Sequence, residues 1–154
     1  MDLRARKANH KDCALLFRWA NDLQVLNMSF IRGTIPFDTY AKWFSSFLMD
    51  KDTLLLIIEG FLGGAWHPIS QVRLHSDGEI SMSIASEYRG LHLATPVILC
   101  ALDFARGNFP VKTVIAHIRH ENTPSIKAFE KAGFSLNGQA TVKGQACLEY
   151  TLEL

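Results

Sequence analysis

Apolar and polar residues recur along the chain at the spacings of strands and helices. Residues 3–8 alternate as in a half-buried strand, and Asn9 with Asp12 forms the pattern of a capping box before a helix that runs to about residue 20. An amphipathic helix is predicted over residues 37–49, because aromatic residues recur there at helical spacing. These residues are Tyr40, Trp43, Phe44 and Phe47.

Three strands joined by tight turns are predicted in the middle of the chain. They cover residues 53–59, 69–75 and 79–85, with turns at Gly63 and Gly64 and at Ser76 to Gly78. Consecutive strands with short connections pair in antiparallel fashion, so this part is expected to form a meander. No regular pattern covers the preceding residues 22–35.

The last third of the chain alternates helices with strands. The predicted elements are a helix over 93–106, a strand over 112–118, a helix over 123–133 and two paired strands over 134–136 and 147–152. Thr123 suits the N-cap of the second helix, and Pro124 suits its first turn. The element order β-α-α-β-β-β-α-β-α-β-β predicts a mixed α/β sheet, mostly antiparallel, with helices on both faces.

Composition and charge narrow the class of protein. The chain has 154 residues, of which 48% are hydrophobic, and this suits a single domain over residues 1–154. Sixteen basic residues against fifteen acidic ones leave a net charge of +1, which indicates no nucleic-acid partner. The longest apolar runs are too short to cross a bilayer, and no apolar signal segment follows Met1. A cytoplasmic protein without a membrane partner is the default expectation.

The cysteines and histidines give no sign of a disulfide framework or a metal centre. Cys13, Cys100 and Cys147 are far apart, form no CxxC pair, and are expected to be reduced. His117 and His120 are three residues apart on a predicted strand, where their side chains would face opposite sides. No metal site is expected.

Two stretches carry candidate chemistry. Residues 79–94 run from a strand through a short turn into a helix, whose free N–H groups and positive dipole end suit an anion such as a pyrophosphate. Residues 120–134 read as a capped amphipathic helix. In this order and at this separation, the two stretches resemble the GNAT acetyltransferase family.

The resemblance rests on two motifs and extends to the element order of nearly the whole chain. The family's turn reads Arg/Gln-x-x-Gly-x-Gly/Ala, and it corresponds here to residues 89–94. The family's later segment reads Asn-x-x-Ser/Ala, then an aromatic or aliphatic residue, then Gly-Phe. It corresponds here to Asn122, Ser125, Phe129, Gly133 and Phe134. The resemblance implies the GNAT fold, in which two central strands splay apart.

The resemblance also implies transfer of acetyl from acetyl-CoA to an amine by direct attack, without a metal. Backbone amides of the turn would hold the CoA pyrophosphate, Ile84 and Ala85 would pair with pantetheine, and Asn122 and Ser125 would face the CoA arm. The turn comprises Arg89, Gly90, Leu91, His92, Leu93, Ala94 and Thr95.

Two residues depart from the family pattern. His92 replaces the internal glycine of the turn, and it would either weaken CoA binding or add a contact to phosphate. Phe129, assigned here to the cofactor site, stands where many relatives have a tyrosine that protonates the leaving thiolate. Phenylalanine has no proton to give, so the acid is elsewhere or water suffices.

Glu79 is the first candidate for the base that accepts the amine's proton. It begins the strand that should line the splayed site and shares a strand face with Ser81 and Ser83. The alternative is that Glu79 is a solvated turn residue. His75 is the second candidate, since imidazole titrates near neutral pH.

The acceptor side is represented by residues 17–22, 27–30 and 42–44, followed by residues 71–73. This combination resembles the branch that acetylates nucleotide-linked amino sugars, as in pseudaminic acid biosynthesis. Met28, Phe30 and Trp43 would stack on a sugar or base, and Arg73 or Arg32 would meet phosphate. Alternatively, the aromatic residues are simply core.

Other acceptors and another class of function stay open. Similar features occur in acetyltransferases for ribosomal-protein N-termini and for small amines such as polyamines. The only acidic residues between residues 21 and 42 are Asp22 and Asp38. A cationic polyamine would favour a more acidic pocket, so this composition disfavours a polyamine. A non-catalytic acyl-CoA-binding module is the alternative of another class, and the sequence leaves monomer and homodimer open.

Overall fold

A seven-stranded sheet with helices on both faces forms the computed structural model, which describes residues 1–30 and 33–154. The strands are β1 (Leu3–Lys7), β2 (Thr53–Leu62), β3 (Ala65–His75), β4 (Glu79–Ile84), β5 (Thr113–Arg119), β6 (Ser135–Val142) and β7 (Gln145–Glu153). The helices are α1 (Cys13–Ala20), α2 (Leu23–Met28), α3 (Phe37–Met49), α4 (Ala94–Ala105) and α5 (Thr123–Lys131). Short 3₁₀ turns cover His10–Asp12 and Ser86–Tyr88.

The strand order is β1-β2-β3-β4-β5-β7-β6, and every neighbouring pair except β4 and β5 is antiparallel. β4 and β5 run parallel and pair only at Glu79 with Ile115 and at Ile80 with Ala116. Beyond these two positions no pairing joins the strands, so a gap opens between them toward their carboxyl ends.

The sheet separates two apolar layers. On one face, α4 and α5 pack against the central strands and bury residues such as Val72, Ile98, Val114 and Phe129. On the other face, α1 and α3 bury Leu16, Trp19 and Phe44 against Leu55 and Ile57 of β2. We call this second face the α1/α3 face; its apolar cluster is the smaller of the two.

The predicted fold is confirmed, including the antiparallel meander and the pairing of the last two strands. The capping box at Asn9 and Asp12 is present, and all three cysteines are free. Pro96 lies in the first turn of α4, where its missing N–H leaves no bond unmade. No helix in the described part of the chain is long and apolar enough to cross a membrane.

Some elements differ from their prediction, each for a local reason. The sequence shows no pattern for α2, because a six-residue helix is too short to display a period. β6 extends to Val142 although its residues are mostly exposed, since pairing with β7 rather than burial defines it. The N-cap of α5 is Asn122, one residue before the predicted Thr123.

Gly78 determines how closely the β3–β4 hairpin approaches β5. Its φ is +100°, and a β-carbon there would overlap the carbonyl oxygen of Thr113. The Gly78 carbonyl accepts the N–H of Ile115 at 2.8 Å. Only glycine therefore allows β4 to begin its pairing with β5 at this position.

We expect Gly78→Ala to destabilise the fold more than Gly144→Ala. Gly144 also has positive φ, at +77°, but open space surrounds it, so alanine there costs about 1–2 kcal/mol of backbone strain. At Gly78 the overlap with Thr113 adds about 1–3 kcal/mol. Urea unfolding of both variants measures the difference, and equal losses would contradict this account of the hairpin.

Candidate functional site

The β4 edge of the gap offers free backbone groups. The Ala85 N–H donates to the Ile69 carbonyl on the β3 side at 2.9 Å. Because amide directions alternate along a strand, the N–H groups of Met82 and Ile84 point to the opposite side, into the gap. Of the two residues predicted to pair with pantetheine, Ile84 therefore faces the gap with its backbone and Ala85 does not. The Met82 N–H, which sequence reasoning missed, also faces the gap.

The turn before α4 forms a concave set of N–H groups. Gly90 and His92 have φ of +76° and +57°, both left-handed, and Leu93 then enters the right-handed conformation of the helix. Within the described residues, the N–H groups of Leu91, His92 and Leu93 donate to no acceptor. Such nests at a helix N-terminus bind anions. His92 adopts the left-handed conformation that the family's glycine would favour, at a cost that glycine avoids.

Arg89 stabilises this turn from the side. Its guanidinium donates to the Ile84 carbonyl at 3.1 Å and forms an ion pair with Asp22 at 2.9 Å. Burial raises the pKa of Asp22, but the hydrogen bonds from Arg89 and from the first amides of α2 outweigh it and lower the pKa. Arg89 thus connects the turn to α2 and satisfies a carbonyl at the end of β4.

The residues of α4, α5 and the α5 N-cap that are predicted to contact CoA differ in their surroundings. Asn122 and Ser125 are half-buried, and the Asn122 side chain makes no capping bond. Thr95 donates its hydroxyl to the Ala128 carbonyl at 3.1 Å, so its side chain holds α4 against α5. Phe129 is 3% exposed, and its ring packs edge-on against Phe134 in the core.

The two predicted base candidates lie at the β3–β4 hairpin. The Glu79 side chain is 52% exposed, and one of its oxygens is 3.6 Å from Nδ1 of His117. Ser81 and Ser83 follow on the same face of β4. His75 uses its Nδ1 to accept the Asp77 N–H in the hairpin turn at 3.1 Å. Glu79 is thus directed toward β5, whereas His75 is engaged in the turn.

A chain of polar groups that sequence reasoning missed continues from Glu79. His117 Nε2 is 2.9 Å from a Glu149 oxygen, and the other Glu149 oxygen accepts from Asn137 at 2.7 Å. The hydrogen bonds from His117 and Asn137 lower the pKa of Glu149. The sequence alone suggests His117 only as a possible metal ligand together with His120. Its contact with Glu149 becomes visible only when β5 pairs with β7 and places His117 opposite Glu149.

The predicted acceptor residues have mixed surroundings. Trp43 is 38% exposed and lies outside the core, unlike Phe44. Met28 and Phe30 are half-buried, and within the described residues no ring contact joins Phe30 to Trp43. Arg32 lies outside the described residues.

Arg73 lies opposite Ser81, on the same face of the sheet as Glu79. Its guanidinium lies 4.5 Å from the centre of the Phe47 ring, and burial lowers its pKa. Within the described residues, no carboxylate lies within ion-pair distance of it. Arg73 is therefore a cation whose charge the surrounding protein does not pair directly.

No group of three or more His, Cys, Asp or Glu residues in the described part of the chain has the geometry of a metal site.

Comparison with known proteins identifies the fold. A family model described as an acetyltransferase (GNAT) domain matches residues 2–135. Spermidine N-acetyltransferase from Vibrio cholerae, in complex with CoA and spermine, superposes with a TM-score of 0.85 at 18% identity, covering 98% of this chain and 95% of that one. An aminoglycoside acetyltransferase in complex with coenzyme A gives 0.82 at 18% identity, covering 99% and 95%. A domain from Methanocaldococcus jannaschii gives 0.83 at 19% identity, covering 99% of each chain. At these identities the superpositions establish the fold alone.

We expect acetyl-CoA to raise the melting temperature, because a ligand that binds only the native state stabilises it. The free amides of the turn at residues 91–93 motivate this expectation. His92→Gly removes the left-handed strain and should bind acetyl-CoA equally or more tightly. A thermal-shift titration to about millimolar ligand measures both. No shift would count against the site, and a large loss in His92→Gly would identify the imidazole as a phosphate ligand.

Proposed function

The chain belongs to the GNAT acetyltransferase family, and we propose that it transfers the acetyl group of acetyl-CoA to a small primary amine. The observation that carries the proposal is the gap between β4 and β5. It connects an anion-binding turn at one end with a polar surface that carries a carboxylate at the other. A pyrophosphate on the turn leaves the pantetheine arm to run along the free edge of β4.

This arrangement directs the thioester toward the apex of the gap, where the strands separate. The last paired residues are Ile80 and Ala116, so Ser81 and His117 flank the first unpaired level. The free N–H of Met82 lies at the next position along β4. The acceptor amine reaches this apex from the α1/α3 face, where Glu79, Ser81 and His117 present polar side chains.

Glu79 is proposed to accept a proton from the amine, directly or through water. An aliphatic ammonium has an ordinary pKa of about 10, so the amine arrives protonated and cannot attack until it loses a proton. Half-exposed Glu79 can contact such an ammonium while remaining close to the apex. Because Phe129 offers no proton, the leaving thiolate departs without an acid from that position.

Two acceptor classes are favoured by separate observations. The spermidine and aminoglycoside acetyltransferases act on small amines, as their names state, and Glu79 with Glu149 would attract a cationic acceptor of this kind. Arg73 favours an acceptor that also carries an anionic group, such as a nucleotide-linked amino sugar. We propose the small amine as the general class and the nucleotide-linked amino sugar as the second candidate within it.

We expect Glu79→Gln to lower kcat/KM by roughly 10²-fold or more, because the amine then loses its proton acceptor. The loss should shrink as pH rises toward the ordinary pKa of the amine, since more acceptor is already neutral. CoA release at several pH values measures this. Glu153→Gln on β7 is the matched control and should keep wild-type rates. A loss independent of pH would make Glu79 a positioning residue, and no loss would direct attention to His75.

An acceptor panel separates the substrate classes. We expect CoA release with a polyamine or aminoglycoside if the acceptor is simply cationic. If it is nucleotide-linked, free UDP should compete with the acceptor, and Arg73→Gln should raise the acceptor KM while leaving the acetyl-CoA KM unchanged. Trp43→Ala should raise the acceptor KM by roughly 5- to 150-fold if the indole stacks on a base.

Two outcomes of the same panel would overturn the proposed acceptor. Turnover of a ribosomal-protein N-terminal peptide, with no turnover of any small amine, would favour the protein acetyltransferase alternative. Binding of acetyl-CoA without CoA release in the presence of any acceptor would favour a non-catalytic acyl-CoA-binding module.

A further inference from the structure

We propose that Glu149 and His117 form a proton relay behind Glu79, in which Nδ1 of His117 receives the proton that Glu79 takes from the acceptor amine. The relay rests on the proposed function, and it assigns His117 as a positioning residue that acts through Glu79. Its parts come from three strands, since Glu79 begins β4, His117 lies on β5 and Glu149 on β7.

The hydrogen bonds that Glu149 accepts show which ring nitrogen of neutral His117 carries the hydrogen. An ionised carboxylate only accepts hydrogen bonds. Asn137 donates to one Glu149 oxygen at 2.7 Å, and the His117 Nε2 lies 2.9 Å from the other. The Nε2 therefore donates, and in the neutral ring Nδ1 keeps its lone pair free.

Nδ1 of His117 lacks a partner although it is buried. It is the only buried side-chain nitrogen or oxygen without a hydrogen bond in the described part of the chain. A buried polar atom left unpaired costs about 1–3 kcal/mol. At 3.6 Å, the nearest Glu79 oxygen is also an acceptor and cannot satisfy it. Once Glu79 has taken a proton, its O–H becomes the donor that Nδ1 lacks.

Arg73 on β3 lies on the same face as Glu79 and interacts with its charge, and the other charged and titratable groups around the ring leave this role to Glu79 and Glu149. Arg119, two residues along β5, pairs with Glu121 and donates to the Asn27 carbonyl. The Cys147 thiol on β7 has its pKa raised, first by burial and then by the charges of Glu149 and Glu79. Asp77 accepts the Glu79 N–H in the hairpin turn. A protonated ring would thus have a carboxylate beside each nitrogen.

The relay moves one proton per turnover from the acceptor ammonium to solvent. One proton of the ammonium passes to the Glu79 carboxylate and then to Nδ1, which regenerates the carboxylate and leaves the amine neutral. The amine nitrogen attacks the thioester carbonyl carbon, the C–N bond forms, and the C–S bond breaks with its electron pair on sulfur. The second nitrogen proton goes to the thiolate. The ring then returns its proton to solvent through Glu79, so each turnover releases one proton.

His117→Gln tests the relay, because glutamine can still donate to Glu149 but cannot store a proton. We expect kcat to fall by roughly 10-fold or more below the ordinary pKa of the amine, and to recover as pH rises. The KM for acetyl-CoA, its thermal shift and the melting temperature should not change. Exposed His120→Gln, just after β5, is the matched control and should behave as wild type.

A double-mutant cycle separates a relay from an independent structural role. If His117 acts through Glu79, Glu79→Gln with His117→Gln should be no slower than Glu79→Gln alone. Additive losses, or a wild-type pH profile in His117→Gln, would overturn the relay.

One further test uses the wild-type protein and therefore does not depend on whether a variant folds. Nitrogen-15 NMR of the assigned His117 ring at neutral pH should show a hydrogen on Nε2 and none on Nδ1. A ring that carries a hydrogen on Nδ1, whether neutral or doubly protonated, would overturn the relay. Failure of the proposed function would show differently, as wild-type protein that releases no CoA with any acceptor.

Discussion

The two-residue parallel pairing of β4 with β5 is the constraint on which the rest of the site depends. The two strands lie close together where the pairing begins, because Gly78 lets the β3–β4 hairpin contact Thr113 and Ile115 without a side chain between them. It ends after Ile80, because β4 stays paired with β3 while β5 stays paired with β7. The gap is therefore a product of two well-paired half-sheets that touch only at one end.

The elements around the gap hold its two sides at a defined distance. Arg89 joins the end of β4 to Asp22 at the start of α2, and Arg119 joins the end of β5 to Asn27 near the end of the same helix. A short helix without its own apolar core is thus fixed by one arginine from each side of the gap. Arg73 lies on the α1/α3 face, and no carboxylate of the described residues is within ion-pair distance of it.

The sequence identified the family and located the turn before α4, but it did not determine which amides of β4 face the gap. Alternation correctly put Glu79 on the face of Ser81 and Ser83, yet it could not say which of Ile84 and Ala85 turns its amide into the gap. That choice depends on which strand lies on each side, since the Ala85 N–H is used by Ile69 of β3. Likewise, helical spacing grouped Trp43 with Phe44, but only packing against β2 shows that Phe44 is buried and Trp43 is not.

The sequence by itself determined the strands, the longer helices, the capping box at Asn9 and the turn before α4, because each depends on neighbours a few residues apart. Membership of the family followed from two motifs and their separation along the chain. The tertiary structure alone decided the chemistry behind Glu79. His117 and Glu149 are 32 residues apart, and they meet only because β7 returns antiparallel beside β5. Glu79 reaches the same ring through the parallel pairing of β4. Strand periodicity fixes which face a side chain occupies, but not which strands are neighbours, and a proton path across three strands requires both.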